Sequence, residues 1–228
     1  MSKKLFIRML RTNFPGKTLV AVLGLAALVH RADAVPVTVE EVGVGPNEVV
    51  EMTSSTLGTH WVYACMVDLL VNGQATDGFC IDPFHWSVTG PQAYNTETLG
   101  DGPKAPGGPM GAVTALKIEQ LWGEYYSHTM SNQNAAGLQI AIWELVGGVN
   151  FQLDSGNDYG ASAMLDWVDK NPNAAAANLI AVTGPGQDYV IPNKCPDTGA
   201  TITLFSMGLA GLAMVRSKFS AVRQSKKA

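Results

Sequence analysis

Apolar and polar residues alternate along Val35-Pro36-Val37-Thr38-Val39, and the run from Trp61 to Val71 (WVYACMVDLLV) is rich in β-branched and aromatic side chains. Both patterns predict strands. Asn72-Gly73 follows directly, and this dipeptide tolerates the two positive φ angles of a type I′ turn, so a hairpin is expected. The periodicity then changes. Between Ala112 and Met130, apolar side chains recur at Val113, Leu116, Ile118, Leu121, Trp122 and Tyr125, a helical spacing. A second helix is predicted from about Asn134 to Val146, stopped by Gly147-Gly148, and a third from about Ser162 to Asp169, stopped before Asn171-Pro172. The segment Asn178 to Ile191 returns to strand character, broken at Gly184-Pro185-Gly186. The stretch Thr89 to Gly111 holds four prolines and six glycines and reads as a long loop. Together these elements predict an α+β domain, a β-rich sandwich or barrel-like sheet with a helical insertion.

The two ends follow other rules. Basic residues near the start, an apolar stretch from Leu19 to Val29 and the triplet Ala32-Asp33-Ala34 predict a signal peptide over residues 1–34. Its 11 apolar residues fall short of the roughly 20 that a spanning helix needs. Residues 35–194 are then the exported domain. At the other end, Pro196-Asp197-Thr198-Gly199 precedes the apolar segment Ala200 to Val215, followed by Arg216 and Lys218, which would hold its end on the cytoplasmic side. Taken alone, residues 195–228 read as a short membrane anchor with a basic tail.

Charge sharpens the division. The 228 residues carry a net −4, but residues 35–199 hold only four lysines against 18 Asp and Glu, a net −14. Such a body repels phosphate, so no nucleic-acid partner is expected. At 46% hydrophobic residues the chain can fill a core, and disorder is excluded. Three cysteines are too few for a disulfide-built scaffold. Neither a P-loop, a Gly-x-Ser-x-Gly elbow, a dinucleotide fingerprint nor a zincin motif occurs, and no cofactor or enzymatic activity is predicted. A metal site from His60, Cys80, Asp82 and His85 matches no recognised zinc spacing.

One polar residue is out of place. On a helical projection of residues 134–146, Gln139 shares a face with Ala135, Ile142, Trp143 and Val146. A buried amide must be hydrogen-bonded, which gives Gln139 either a structural partner or a task.

Two resemblances follow from these residues. The order Pro196-Asp197-Thr198-Gly199, apolar helix, basic cluster resembles the VPDSG-CTERM sorting signal, a relative of the PEP-CTERM signals of Gram-negative bacteria, with Cys195 where that family usually has Val. The resemblance implies recognition by exosortase, a membrane transpeptidase, transient anchoring in the inner membrane, and delivery to the cell surface or extracellular matrix. The blocks Gly78-Phe79-Cys80-Ile81-Asp82-Pro83 and Gln139-Ile140-Ala141-Ile142-Trp143 resemble the paired motifs of bacterial surface thioester domains, with Leu138 in place of the family's Thr. Gln187-Asp188-Tyr189 stands where sorted proteins of this kind often carry Gln-Asp-aromatic. This resemblance implies an internal thioester between Cys80 and Gln139, in a pocket supported by Phe79, Asp82, Ile142 and Trp143, that captures an amine or hydroxyl on a surface or matrix partner. Asp82, His85 and His128 are candidate acid or base helpers, none singled out by spacing.

A second reading of Cys80 comes from the hairpin itself. With a two-residue loop at Asn72-Gly73 the paired positions set Cys65 opposite Cys80, within disulfide range, unless Asp77-Gly78 bulges the strand. The chain is then a non-reactive structural matrix or biofilm protein with a Cys65–Cys80 bridge.

Overall fold

The computed structural model describes residues 35–103 and 108–193. The predicted signal peptide and sorting segment lie outside the described residues. Among the described residues are seven strands: β1 (Val35–Ser54), β2 (Gly58–Val71), β3 (Gln74–Cys80), β4 (Gln92–Thr98), β5 (Phe151–Leu153), β6 (Leu179–Thr183) and β7 (Tyr189–Pro192). Three α-helices accompany them: α1 (Gly111–Tyr125), α2 (Asn132–Gly147) and α3 (Ala161–Lys170). All strand pairs are antiparallel, in the order β2-β3-β7-β6-β4-β1-β5, and β1 also pairs with β2. That last pairing closes six strands into a barrel, with β5 as a short extension on β1. The α+β, β-rich architecture is the expected one.

Closure depends on β1. Its first residues pair with β4 from Val35↔Thr96 to Val39↔Gln92, and from Val39 onward it pairs with β2. Register shifts between Glu41 and Gly43 and between Val44 and Asn47 bend the strand, as bulges do, so one chain segment serves two neighbours. Alternation along the strands then makes two apolar layers. Val39, Cys65, Val67, Leu69, Tyr94, Val182, Tyr189 and Ile191 form the barrel interior. Val50, Met52, Ala64, Met66 and Phe79 face outward, where α2 lies on the sheet with α1 and α3 packed against it.

The hairpin turn is as expected, with φ of 51° at Asn72 and 77° at Gly73. The three helices fall within three residues of their predicted starts, while α1 ends at Tyr125, five residues short of Met130. The stretch Thr89–Gly111 departs from the sequence reading. It contains β4 and a 3-10 turn at Leu99–Asp101. Prolines and glycines flank this strand without interrupting Gln92–Thr98, and Tyr94 is buried in the barrel.

Helix α2 begins with Ser131, whose Oγ accepts from the Asn134 N–H as an N-cap. It is buried on nearly every side: Ala135, Ala136, Leu138, Gln139, Ile140, Ala141 and Ile142 are all fully covered. Gly137 permits this on the α3 side, because a Cβ there would meet the Tyr159 carbonyl oxygen at 2.3 Å. No described helix is long and apolar enough to cross a membrane.

Candidate functional site

The site grows from the end of the β2–β3 hairpin. The two strands keep the predicted register from Val71↔Gln74 to Val67↔Gly78, so Asp77-Gly78 makes no bulge there. The ladder ends at Gly78. Beyond it β3 pairs with β7, through Phe79↔Val190 and Cys80↔Tyr189, while Cys65 pairs with Asn47 of β1. Gly78 is required at this exchange of partners: a Cβ would lie 2.9 Å from Leu69 Cδ1 and 3.1 Å from the Val190 carbonyl.

Losing β2 exposes a rung. Ile81 donates its N–H to Asp188 on the β7 side. Because backbone groups alternate along a strand, the N–H and C=O of Cys80 face the side that β2 has left. Gln139 of α2 fills that place. Its Oε1 accepts from the Cys80 N–H at 2.9 Å, and its Nε2 donates to the Cys80 carbonyl at 2.7 Å. The predicted inward amide is therefore fully buried, with both polar atoms satisfied, against the backbone of Cys80.

The Cys80 sulfur accepts from the Asp82 N–H at 3.2 Å. Burial first, then the negative charge of Asp82, pushes the thiol well up, while the Trp143 indole and the Asp82 N–H act the other way. Asp82 accepts from the Phe84 N–H at 3.0 Å and contacts His85 Nδ1 at 2.7 Å. Burial raises its carboxyl, and the contact with His85 opposes the rise.

A cavity of about 200 Å³ is lined by Cys80, Gln139, Trp143, His85 and Cys65. The structure thus brings together Cys80, Gln139, Trp143 and the Asp82–His85 pair. Phe79 packs edge-to-face on Trp122 at 5.3 Å, and Ile142 is fully buried. His128 lies elsewhere, with its Nδ1 2.6 Å from Asp77 and beside Tyr126. Cys65 and Cys80 are both buried free thiols in the structure. Among the described residues no group of three or more His, Cys, Asp or Glu is arranged to hold a metal ion.

Sequence reasoning missed the aromatic rim of this cavity. Trp61 is 65% exposed, Tyr63 56% and Trp86 51%, and all three line it. Trp61, Tyr63 and Cys65 are spaced by two along β2, a signal for one shared face that was available in the sequence.

Residues 196–219 match the VPDSG-CTERM motif. The motif implies processing by an exosortase-like enzyme and is consistent with export and a cell-surface location. No curated protein matches the chain. Among solved structures, the chain is similar to the N-terminal thioester domain of a surface protein from Clostridium perfringens, at 14% identity over 55% of this chain and 87% of that one, with a TM-score of 0.39.

Proposed function

We propose that this protein is a surface-displayed covalent binder in which Cys80 and Gln139 form an internal thioester. The observation that carries the reading is the clamp of the Gln139 carboxamide on both backbone groups of Cys80, at 2.9 and 2.7 Å. It fixes the carboxamide against the backbone of the cysteine whose thiol would attack it, and pre-positioning of this kind replaces a bimolecular encounter. The Cys80 N–H on Oε1 would also polarise the carbonyl and hold the oxyanion that develops on attack.

The chemistry balances without an oxidant. The sulfur of Cys80 bonds to Cδ of Gln139, the Cδ–Nε2 bond breaks, and ammonia leaves with the thiol proton. An amine or hydroxyl of a surface or matrix partner then attacks the thioester, ending bonded to Cδ, and the Cys80 thiol is restored. Each molecule reacts once, so the protein is a binder and not an enzyme. The apolar surroundings of Phe79, Ile142 and Trp143 would limit competing hydrolysis.

The same hydrogen bonds favour a second reading. An amide that completes a sheet rung is a sufficient structural role, and Cys65 lines the same cavity as Cys80. The protein is then a structural component of the extracellular matrix, with a Cys65–Cys80 disulfide. Intact mass of the full chain, purified without reductant, separates the two. The thioester predicts a mass lower by one ammonia, to which one methylamine adds at Gln139. A mass lower by two hydrogens and indifferent to methylamine would establish the disulfide and end the covalent-binder reading.

A further inference from the structure

Trp143 is 2% exposed, and its indole Nε1 is buried with no hydrogen-bond partner. No other side-chain nitrogen or oxygen among the described residues is left in that state. A buried donor without an acceptor forfeits its hydration for nothing, and each such group in a folded protein calls for a cause. Packing does not supply one. The Trp143 ring lies against Phe151 with centroids 5.8 Å apart, a contact that a phenyl ring could make without the orphaned N–H.

The position of the indole suggests what it is for. Trp143 follows Gln139 by one helical turn, on the same face of α2, and both line the cavity that holds Cys80. Two backbone donors beside Cys80 are committed: the Cys80 N–H to Gln139 Oε1, and the Asp82 N–H to the sulfur. A neutral thiol is a weak acceptor, whereas a thiolate is a strong one.

We infer that the Trp143 indole N–H is held in reserve for the Cys80 sulfur, idle in the thiol state and donating to the thiolate. The inference rests on the thioester reading above. A thiolate occurs twice in that sequence, as the nucleophile that displaces ammonia and as the group that leaves when an amine attacks. A donor waiting at the sulfur stabilises charge that appears only during reaction, which lowers both barriers without strengthening the resting state. The roles then divide by atom, with the Cys80 N–H serving the acyl oxygen and Trp143 serving the sulfur. The indole is placed to act on this sulfur, where it favours the charged form.

The test is Trp143→Phe in the full chain, with thermal unfolding to confirm that it folds. Methylamine capture should slow by about 100-fold, the scale of losing one preorganised donor. A second arm uses Gln139→Ala chains, in which no thioester can form. There, the pH at which Cys80 is half-maximally alkylated, read by mass spectrometry at that residue, should rise when Phe replaces Trp143. Unchanged capture together with an unchanged alkylation profile overturns the inference. If the wild-type chain never loses ammonia, the thioester reading fails, and the alkylation arm alone decides whether the indole serves the thiolate. Should Trp143→Phe not fold, the indole N–H resonance of Trp143 in the wild-type chain replaces it. That resonance should move as the Cys80 thiol is deprotonated, and a static one would sink the idea.

Discussion

Cys65 and Cys80 sit on adjacent strands of one hairpin and line one cavity, yet their surroundings differ in kind. Cys65 keeps a strand partner, pairing with Asn47 of β1 beside the register shift between Val44 and Asn47, and faces the barrel interior. Its thiol is pushed up to about 12, by burial first and then by Glu41 and Asp68. Cys80 occupies the point where β3 leaves one neighbour for another. Its side chain shares a face with its ladder partner Tyr189, and it also joins the apolar cluster that contains α2. Burial raises both thiols and so makes neither a strong nucleophile by itself. What separates them is the company at Cys80: a carboxamide on its backbone, the Asp82 N–H on its sulfur, and an indole N–H in reserve. The end of the β2–β3 ladder makes room for these groups at Cys80, whereas Cys65 keeps a strand partner in Asn47.

The largest effect should come from deleting each thiol in turn. Cys80→Ala is expected to abolish both the loss of ammonia and methylamine capture, whereas Cys65→Ala should retain both, as read by intact mass. Equal loss in the two variants would mean that the thiols act as a pair and that the contrast drawn between them is wrong.

Next in size is Gln139→Ala. It leaves the Cys80 N–H and C=O without partners in a buried place and opens a cavity, so stability should fall by about 2–5 kcal/mol. Denaturant midpoints at constant slope measure this. A loss below about 1 kcal/mol would show that the rung does not depend on the amide.

These elements differ in how far the sequence announces them. The hairpin turn and the inward face of α2 are local, set by Asn72-Gly73 and by spacing on one helix, and both could be read in advance. So could the inward amide of Gln139, since a polar residue among Ala135, Ile142 and Trp143 is visible on a projection. The clamp could not be seen, because it depends on where the β2–β3 ladder stops. Extrapolating the register through Gly78 sets Cys65 against Cys80, and the register is right as far as Val67↔Gly78. Its end is decided by β7, more than 100 residues later, whose claim on Phe79 and Cys80 no local pattern reveals. Strand β4 was hidden for a different reason. Turn residues crowd both its sides, and composition over the whole stretch outweighed seven residues of strand.

Gly137→Ala probes the contrast from the far side of α2. The new methyl would meet the Tyr159 carbonyl, a backbone atom that cannot rotate away, so α2 must shift relative to α3. Overpacking of this kind costs about 1–3 kcal/mol, against roughly 1 kcal/mol gained in helix propensity. A net loss of about 1 kcal/mol is expected, with slower methylamine capture because Gln139 lies on the displaced helix. Wild-type capture by a destabilised variant would indicate that the clamp tolerates movement of the helix carrying it.

The smallest effect concerns His128, the candidate helper that the fold keeps apart from Cys80. Its contact with Asp77, first as a hydrogen bond and then as a charge, raises its pKa above the ordinary 6.5. A raised pKa means that the folded state holds the proton more tightly than the unfolded chain. The contribution is therefore complete below about pH 6.5 and is lost as pH rises through the folded value. His128 is exposed although Asp77 is not, so the pair is screened, and the effect should be slight and should shrink with added salt. Denaturation of wild type and His128→Ala at about pH 5.5 and about pH 8.5 should show a small stability gap at the lower value that closes at the higher. Methylamine capture should be the same in the two proteins at both. A capture defect in His128→Ala would place an acid or base function at a distance from the sulfur, and the assignment of the chemistry to the Cys80 end of the hairpin would have to be redrawn.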